Sequence, residues 1–242
     1  MFKFPRLAAA LWFTAGTVCA DPGYYVVAPY DNAGLRSIDF RYWTVKPSGA
    51  VEVLWPEIGF AYGVNSRWTT ELLLSFIGSS AEATVPSTLN WQNDFLLTQG
   101  EWPFDLAVHT KWIDDRIRSD RYAIEYGLLF QTDIGRTQLN ANLILERSFN
   151  TPQPRPPQLK YQWQLRHRWT RTFHVGLQGF GEVGDWDAWA AHARQSHRAG
   201  PALFATLRLG EREALHFQAA YLQGKTYGRQ GHMFTLRTHC DF

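Results

Sequence analysis

The chain has 242 residues, 45% of them hydrophobic and 15% aromatic, with 24 Lys and Arg against 22 Asp and Glu. That is enough apolar surface for one large domain or two small ones, and it excludes a disordered chain. The near-neutral balance leaves no electrostatic footprint for nucleic acid, so no such partner is expected.

The first residues, MFKFPRLAAALWFTAGTVCA, carry Lys3 and Arg6, then an apolar stretch from Leu7 to Val18, then Ala20 ahead of Asp21. This is the pattern of a secretory signal peptide over residues 1–20, cleaved after Ala20 and too short for a spanning helix. Lipid attachment at Cys19 fits less well, because Val18 stands where a small residue is wanted. Cleavage removes two basic residues and no acidic one, leaving 22 of each sign. Of the two cysteines only Cys240 then remains, so export to a compartment where disulfides persist brings no internal disulfide. Residues 21–34, DPGYYVVAPYDNAG, form an N-terminal periplasmic segment, readable as a tail, a plug or an extra piece of strand.

From residue 35 to 242 helical periodicity is nearly absent and alternation at period two recurs. In LRSIDFRYWTV, Leu35 is followed by Ile38, Phe40, Tyr42 and Thr44 on one face, with Asp39 and Arg41 on the other. In WPEIGFAYGV, Ile58, Phe60, Tyr62 and Val64 alternate with Glu57 and the small Gly59, Ala61 and Gly63. Further segments of the same kind give about twelve in all, each of roughly ten residues, the length a tilted strand needs to cross a bilayer. Short polar links such as GVNSR, TQGE, DIGR, WTRT and GERE alternate with mostly longer ones such as NTPQPRPP and GKTYGRQG. Pro56, Pro86, Pro103 and Pro201 are expected near segment ends, since proline cannot donate to a ladder.

The segment WPFDLAVHTKW sets Trp102, Phe104, Leu106, Val108 and Trp112 against Asp105, His109 and Lys111. In QLKYQWQLRHRW, Leu159, Tyr161, Trp163, Leu165 and Trp169 oppose Lys160, Gln162, Gln164, Arg166 and Arg168. Aromatics bracketing aliphatics are the mark of strands that cross two lipid–water interfaces. A soluble barrel or sandwich also alternates, with its apolar face inward, and parity alone does not tell in from out. Export, uniform span length, asymmetric links and aromatic ends favour the membrane reading. The expected fold is all-β, a transmembrane antiparallel up-and-down barrel of about twelve strands over residues 35–242.

The closing GHMFTLRTHCDF places Phe234, Leu236, Thr238, Cys240 and Phe242 on one parity and Met233, Thr235, Arg237, His239 and Asp241 on the other. A strand running to the last residue makes sense in a closed barrel, where the last strand pairs with the first and leaves no edge. Terminal Phe242, with apolar residues at 240, 236 and 234, resembles the C-terminal signal of bacterial outer-membrane barrel proteins, from which Thr238 departs mildly. That resemblance implies outer-membrane lipid and the barrel assembly machinery as partners and the bacterial outer membrane as location. The stretch PEIGFAYGVNSRWTTELLLSF is similar to the strand, turn and strand unit of outer-membrane transporters associated with phenol-degradation gene clusters, the MetA-pathway family. This second resemblance implies transport without identifying a solute.

With the apolar parity facing lipid, the lumen receives Asp39, Arg41, Glu71, Asp94, Asp105, His109, Lys111, Glu125, Glu146, Lys160, Arg166, Arg168, Glu182, Arg208 and Arg237, with His174, His216 and His239. Such residues either line a constriction that selects a small polar or charged solute or pair across strands to fill a narrow barrel. Lys160, Arg166 and Arg168 form the sharpest anion-attracting run, with Glu146 and Glu182 on neighbouring strands to neutralise it. The competing class is a sealed barrel serving as a surface hydrolase or a structural and binding scaffold. Ser75, His109 and Asp105 share inward parity, yet no local motif joins them as nucleophile, base and orienting group. His216 and His239 share a parity on adjacent strands, so a metal pair is conceivable, but no close-spaced carboxylate or thiolate completes a site and hydrogen bonding into the lumen is the favoured reading. No cofactor and no metal are expected. His192, His197, Trp186 and Trp189 share one loop, read as a short helix packed over the barrel mouth by its tryptophans.

Overall fold

A computed structural model of the protein describes residues 24–29, 33–80, 83–118, 120–226 and 228–242. The expected signal peptide, 1–20, lies outside the described residues. Among those residues thirteen strands are found: β1 Arg36–Pro47, β2 Val53–Asn65, β3 Trp68–Ile77, β4 Val85–Leu96, β5 Asp105–Asp115, β6 Tyr122–Ile134 and β7 Thr137–Phe149. They continue as β8 Gln158–His167, β9 Phe173–Asp185, the two-residue β10 Ala188–Trp189, β11 Ser196–Arg208, β12 Ala214–Thr226 and β13 Arg229–Asp241.

All strands but β10 form a closed antiparallel barrel of twelve. Each pairs with its sequence neighbours, β8 with β9 and β9 with β11, and β13 returns to β1 in the register Ser37–Asp241 through Pro47–Gly231. No main-chain edge is left to template association. The final Phe242 completes the seam: its N–H donates to the Arg36 carbonyl at 2.9 Å, and the Arg36 N–H donates to its carbonyl at 3.2 Å.

Side chains alternate as the sequence predicts, and burial fixes which parity points in. Leu143 is 59% exposed and Leu72, Phe60 and Leu203 likewise stand outward, whereas Asp39 is 0% exposed on the inside. A water-soluble barrel would hide the first set and expose the second. The outward surface is therefore a lipid-facing wall, bracketed by aromatics at both ends. At one end Trp112, Tyr122 and Phe149 stack, and at the other Trp68 stacks on Phe95 and Phe104 contacts Phe130. Indole N–H groups on this wall are satisfied locally, Trp68 donating to Asn93 at 3.0 Å and Trp91 to Thr70 at 2.9 Å.

Both ends of the barrel chain, Arg36 and Phe242, lie together with the turns 66–67, 97–104, 135–136, 168–172 and 209–213. Gly135 opens its two-residue hairpin turn at φ 61°, a conformation that a side-chain-bearing residue rarely adopts. Three expectations are corrected, two at the opposite end and one within a strand. The long link expected at GKTYGRQG is mostly strand, because the β12–β13 ladder runs on through Gly224–Gly231 and Lys225–Gln230 to Thr226–Arg229. The loop helix expected over the barrel mouth gives way to β10, which folds back on β9 through Ala188–Asp185. Trp189 and Trp186 are 65% and 53% exposed, so neither serves as a buried packing surface over the mouth. Pro201, finally, lies in the middle of β11; its missing N–H falls where the β11–β12 ladder skips from Ala199–Gln223 to Ala202–Ala220.

The barrel interior is not uniformly polar. Trp43, Val45, Phe180, Ala202, Phe204, Ala220, Leu222 and Met233 form an apolar cluster on the inner wall of β1, β9 and β11–β13. Tyr24, Tyr25, Val26 and Val27, which precede the first strand, are buried in that cluster. Four such side chains leaving water contribute roughly 1.5–3 kcal/mol each, enough to offset the ordering of a short segment.

Candidate functional site

The functional candidate is the lumen, and residues 24–29 occupy it. Tyr25 lies beneath Arg41, whose guanidinium carbon is 3.6 Å from the ring centre, with that of Arg237 at 5.6 Å. Its hydroxyl donates to Gln92 Oε1 at 2.9 Å. Tyr24 packs edge-on against Trp43 and Phe180, has Arg198 over its face at 4.2 Å and donates to Glu182 Oε1 at 3.2 Å. The backbone of Val27 is held from both sides: its N–H donates to Gln162 Oε1 at 3.2 Å, and its carbonyl accepts from Asn142 Nδ2 at 2.7 Å. Buried main-chain groups of a non-strand segment need such partners, and amide side chains on β7 and β8 supply them.

Around this segment the inward charges form two ion-pair networks. In the first, Arg41 on β1 bridges Asp39 at 2.7 Å and Glu71 on β3 at 2.7 Å, with Glu57 on β2 at 3.6 Å. Asp39 also receives Arg237 from β13 at 2.6 Å, so the network crosses the β13–β1 seam. Glu57 further accepts from Ser75 at 2.8 Å and Asn90 at 3.1 Å. At its lower edge Asp241 sits between His239, at 2.7 Å, and His216, at 3.1 Å.

The second network runs from β4 to β8. His109 meets Asp94 at 2.6 Å, Lys111 meets Glu125 at 2.7 Å, and Lys160 reaches Glu125 at 3.0 Å and also Glu146. Buried charges persist only when paired, and removing one member leaves its partners uncompensated. A third pair, Arg198–Glu182 at 2.6 Å, joins β11 to β9 beside Tyr24.

Other sequence candidates lie nearer the end that carries the chain termini. Arg166 faces Phe204 at 5.3 Å. Asp105 accepts from the Gly100 N–H at 3.0 Å in the β4–β5 turn, Arg168 pairs with Asp133 at 2.9 Å on the rim, and Arg208 is exposed at the end of β11. The basic run Lys160, Arg166 and Arg168 is thus spread along the barrel, and Lys160 is neutralised by Glu125 and Glu146. Ser75, His109 and Asp105 hold three separate sets of partners.

A cavity of about 280 Å³ fills the half of the lumen nearest the termini. Ser37, Thr69, Asp94, Arg166, Gln218, Arg237, His239 and Asp241 are among its walls, and Tyr25 and Arg41 close its inner end. Beyond them, between Tyr24, Tyr25, His109, Lys111, Glu125 and Lys160, the void is about 10 Å³, the size of one water. The narrowing is made by the inserted segment as much as by the wall. Sequence parity missed Tyr24, Tyr25 and Trp43 as lumen residues. The apolar run YYVV ahead of the first strand was the available signal, since it has to be buried somewhere.

A scan against protein-family models gives no match, and neither does a search of curated protein sequences. Among solved structures the chain is similar to an outer membrane channel from Pseudomonas putida F1, at 14% identity and a TM-score of 0.57, over 92% of this chain and all of that one. It is also similar to the NanC porin, at 10% identity and a TM-score of 0.55, over 83% of this chain and 98% of that one. At such identities the likeness concerns the fold. With the apolar outward wall, it makes this chain a bacterial outer-membrane β-barrel, and the even strand count puts both ends of the barrel chain on the same side of the membrane.

Proposed function

We propose that the protein is a narrow outer-membrane channel for a small polar or charged solute, with residues 24–29 setting its constriction. The observation that carries this reading is the cavity of about 280 Å³, which leads from the periplasmic end to Tyr25 and Arg41. Its wall presents both signs of charge and several amide and hydroxyl groups, which suits a solute that exchanges water for polar contacts. Two structural neighbours are described as a channel and a porin, which agrees with the proposal without naming a solute.

The segment that narrows the lumen is held by four hydrogen bonds from side chains or backbone and by arginine–tyrosine contacts, not by strand pairing. Such contacts can be exchanged for solute contacts without opening the barrel. A second reading, a sealed scaffold or surface enzyme, is favoured by the same occupied lumen.

Single-channel recording in planar bilayers separates the two. The full chain is expected to give a small conductance, and a chain lacking residues 24–29 a larger one. A steady absence of current from both proteins, across salts and voltages, would sink the channel.

A further inference from the structure

A feature of the lipid-facing wall lies outside the lumen and independent of any transport. Arg147 belongs to the outward series Leu143, Leu145, Arg147 and Phe149 on β7, and it is exposed. Its guanidinium carbon lies 5.3 Å from the ring centre of Phe149. Phe149 in turn stacks on Tyr122 of β6 at 4.8 Å and 9°, and Tyr122 on Trp112 of β5 at 4.6 Å and 10°. Three strands thus contribute to one continuous ladder of rings that ends in a cation.

Three arginines near the barrel rims have carboxylate partners: Arg67 with Glu101 at 2.6 Å, Arg168 with Asp133 at 2.9 Å and Arg116 with Asp114 at 3.2 Å. Among the described residues no carboxylate pairs with Arg147, whose partner across the ladder is Ile124. A cation on the lipid face of a barrel is unfavourable, and the cost falls only as it nears the interface. An anion supplied by the lipid removes that cost. In the loop that joins β5 to β6, Asp115 accepts from the Ile117 and Arg118 amides at 2.9 and 3.0 Å, and Arg118 is exposed.

This end of the barrel is opposite the chain termini, and with those termini periplasmic it faces the outer leaflet, where the lipid is a phosphorylated glycolipid. We propose that Arg147, the Trp112–Tyr122–Phe149 ladder and Arg118 form a binding site for its phosphorylated sugar headgroup. The guanidinium fork matches a phosphate, and the flat rings offer faces on which the sugar and the first methylenes pack. The contact with Phe149 holds the guanidinium in place before the lipid arrives.

The test uses the folded full-length barrel in detergent, titrated with bisphosphorylated lipid A and followed by native mass spectrometry and thermal unfolding. Lipid A is expected to bind and raise the unfolding midpoint. Arg147→Gln is expected to weaken binding about tenfold, the loss of one charge-assisted contact. Dephosphorylated lipid A should be weakened similarly on the native chain, and Arg118→Gln should lie between. Arg212→Gln, in a periplasmic turn, should bind as the native chain does. Equal binding by Arg147→Gln and the native chain overturns the site, as does indifference to the phosphates. Inorganic phosphate alone raising the midpoint as far as lipid A would also overturn it, by reducing the site to an anion contact.

Discussion

The side chains of Arg41 and Tyr25 meet face to face, 3.6 Å apart, where β1 confronts the segment that precedes it. Together they form the inner end of the cavity on the side of the chain ends. Tyr25→Ala deletes the ring, its bond to Gln92 and a desolvated cation–π contact of about 2 kcal/mol. The variant is expected to conduct more in planar bilayers than the native chain and to unfold at a lower temperature. An unchanged conductance beside a lowered midpoint would mean that the constriction lies elsewhere.

Arg41 is also the hub of three buried carboxylates, Asp39, Glu57 and Glu71. Arg41→Ala leaves them facing one another without their shared counter-charge, and a loss of about 3–5 kcal/mol is expected. The rim pair Arg168–Asp133 has both partners half exposed, so Arg168→Ala should cost at most about 1 kcal/mol. Urea unfolding in detergent measures both. Similar losses for the two variants would contradict the account of the inner network.

Lys160 holds Glu125 and Glu146 together beside the inserted segment. Lys160→Gln withdraws one positive charge from the lumen while leaving Lys111 on Glu125. For a conducting barrel, the reversal potential across a salt gradient should move toward cation preference. A move toward anions, or none at all, would show that the permeating ion does not sense this network.

The barrel itself was legible because lipid imposes a period-two pattern on every span, and twelve repeats of it leave little freedom. Asp39, Arg41, Glu71, His109 and Glu125 follow from parity alone, since each sits opposite a run of outward apolar residues. Their partners do not follow, because which carboxylate reaches Lys160 depends on register across the three strands β6–β8. Tyr24 and Tyr25 were illegible for a different reason: a segment without periodicity gives no face, and its place is set by the apolar inner wall it meets. Trp43 and Met233 show the same limit, as apolar residues on the inward parity that serve that segment and not the lipid. Pro201 was misjudged because a strand tolerates one missing donor where the neighbouring ladder is interrupted, as it is between Ala199–Gln223 and Ala202–Ala220.

The terminal phenylalanine separates folding from assembly. Phe242 is 47% exposed on the outward wall, and its two bonds to Arg36 are made by main-chain atoms. Phe242→Ala keeps both bonds and loses only a side chain that faces lipid in the folded state. Its refolded barrel should therefore keep its heat-modifiable migration, with an unfolding midpoint near that of the native chain. We propose that Phe242 is also read by the assembly machinery before the strand is paired, and on that reading the amount of variant recovered in outer membranes is expected to fall several-fold. Native-like recovery in cells would show that this side chain is dispensable for assembly. A matching loss in refolding would mean instead that Phe242 serves the stability of the barrel.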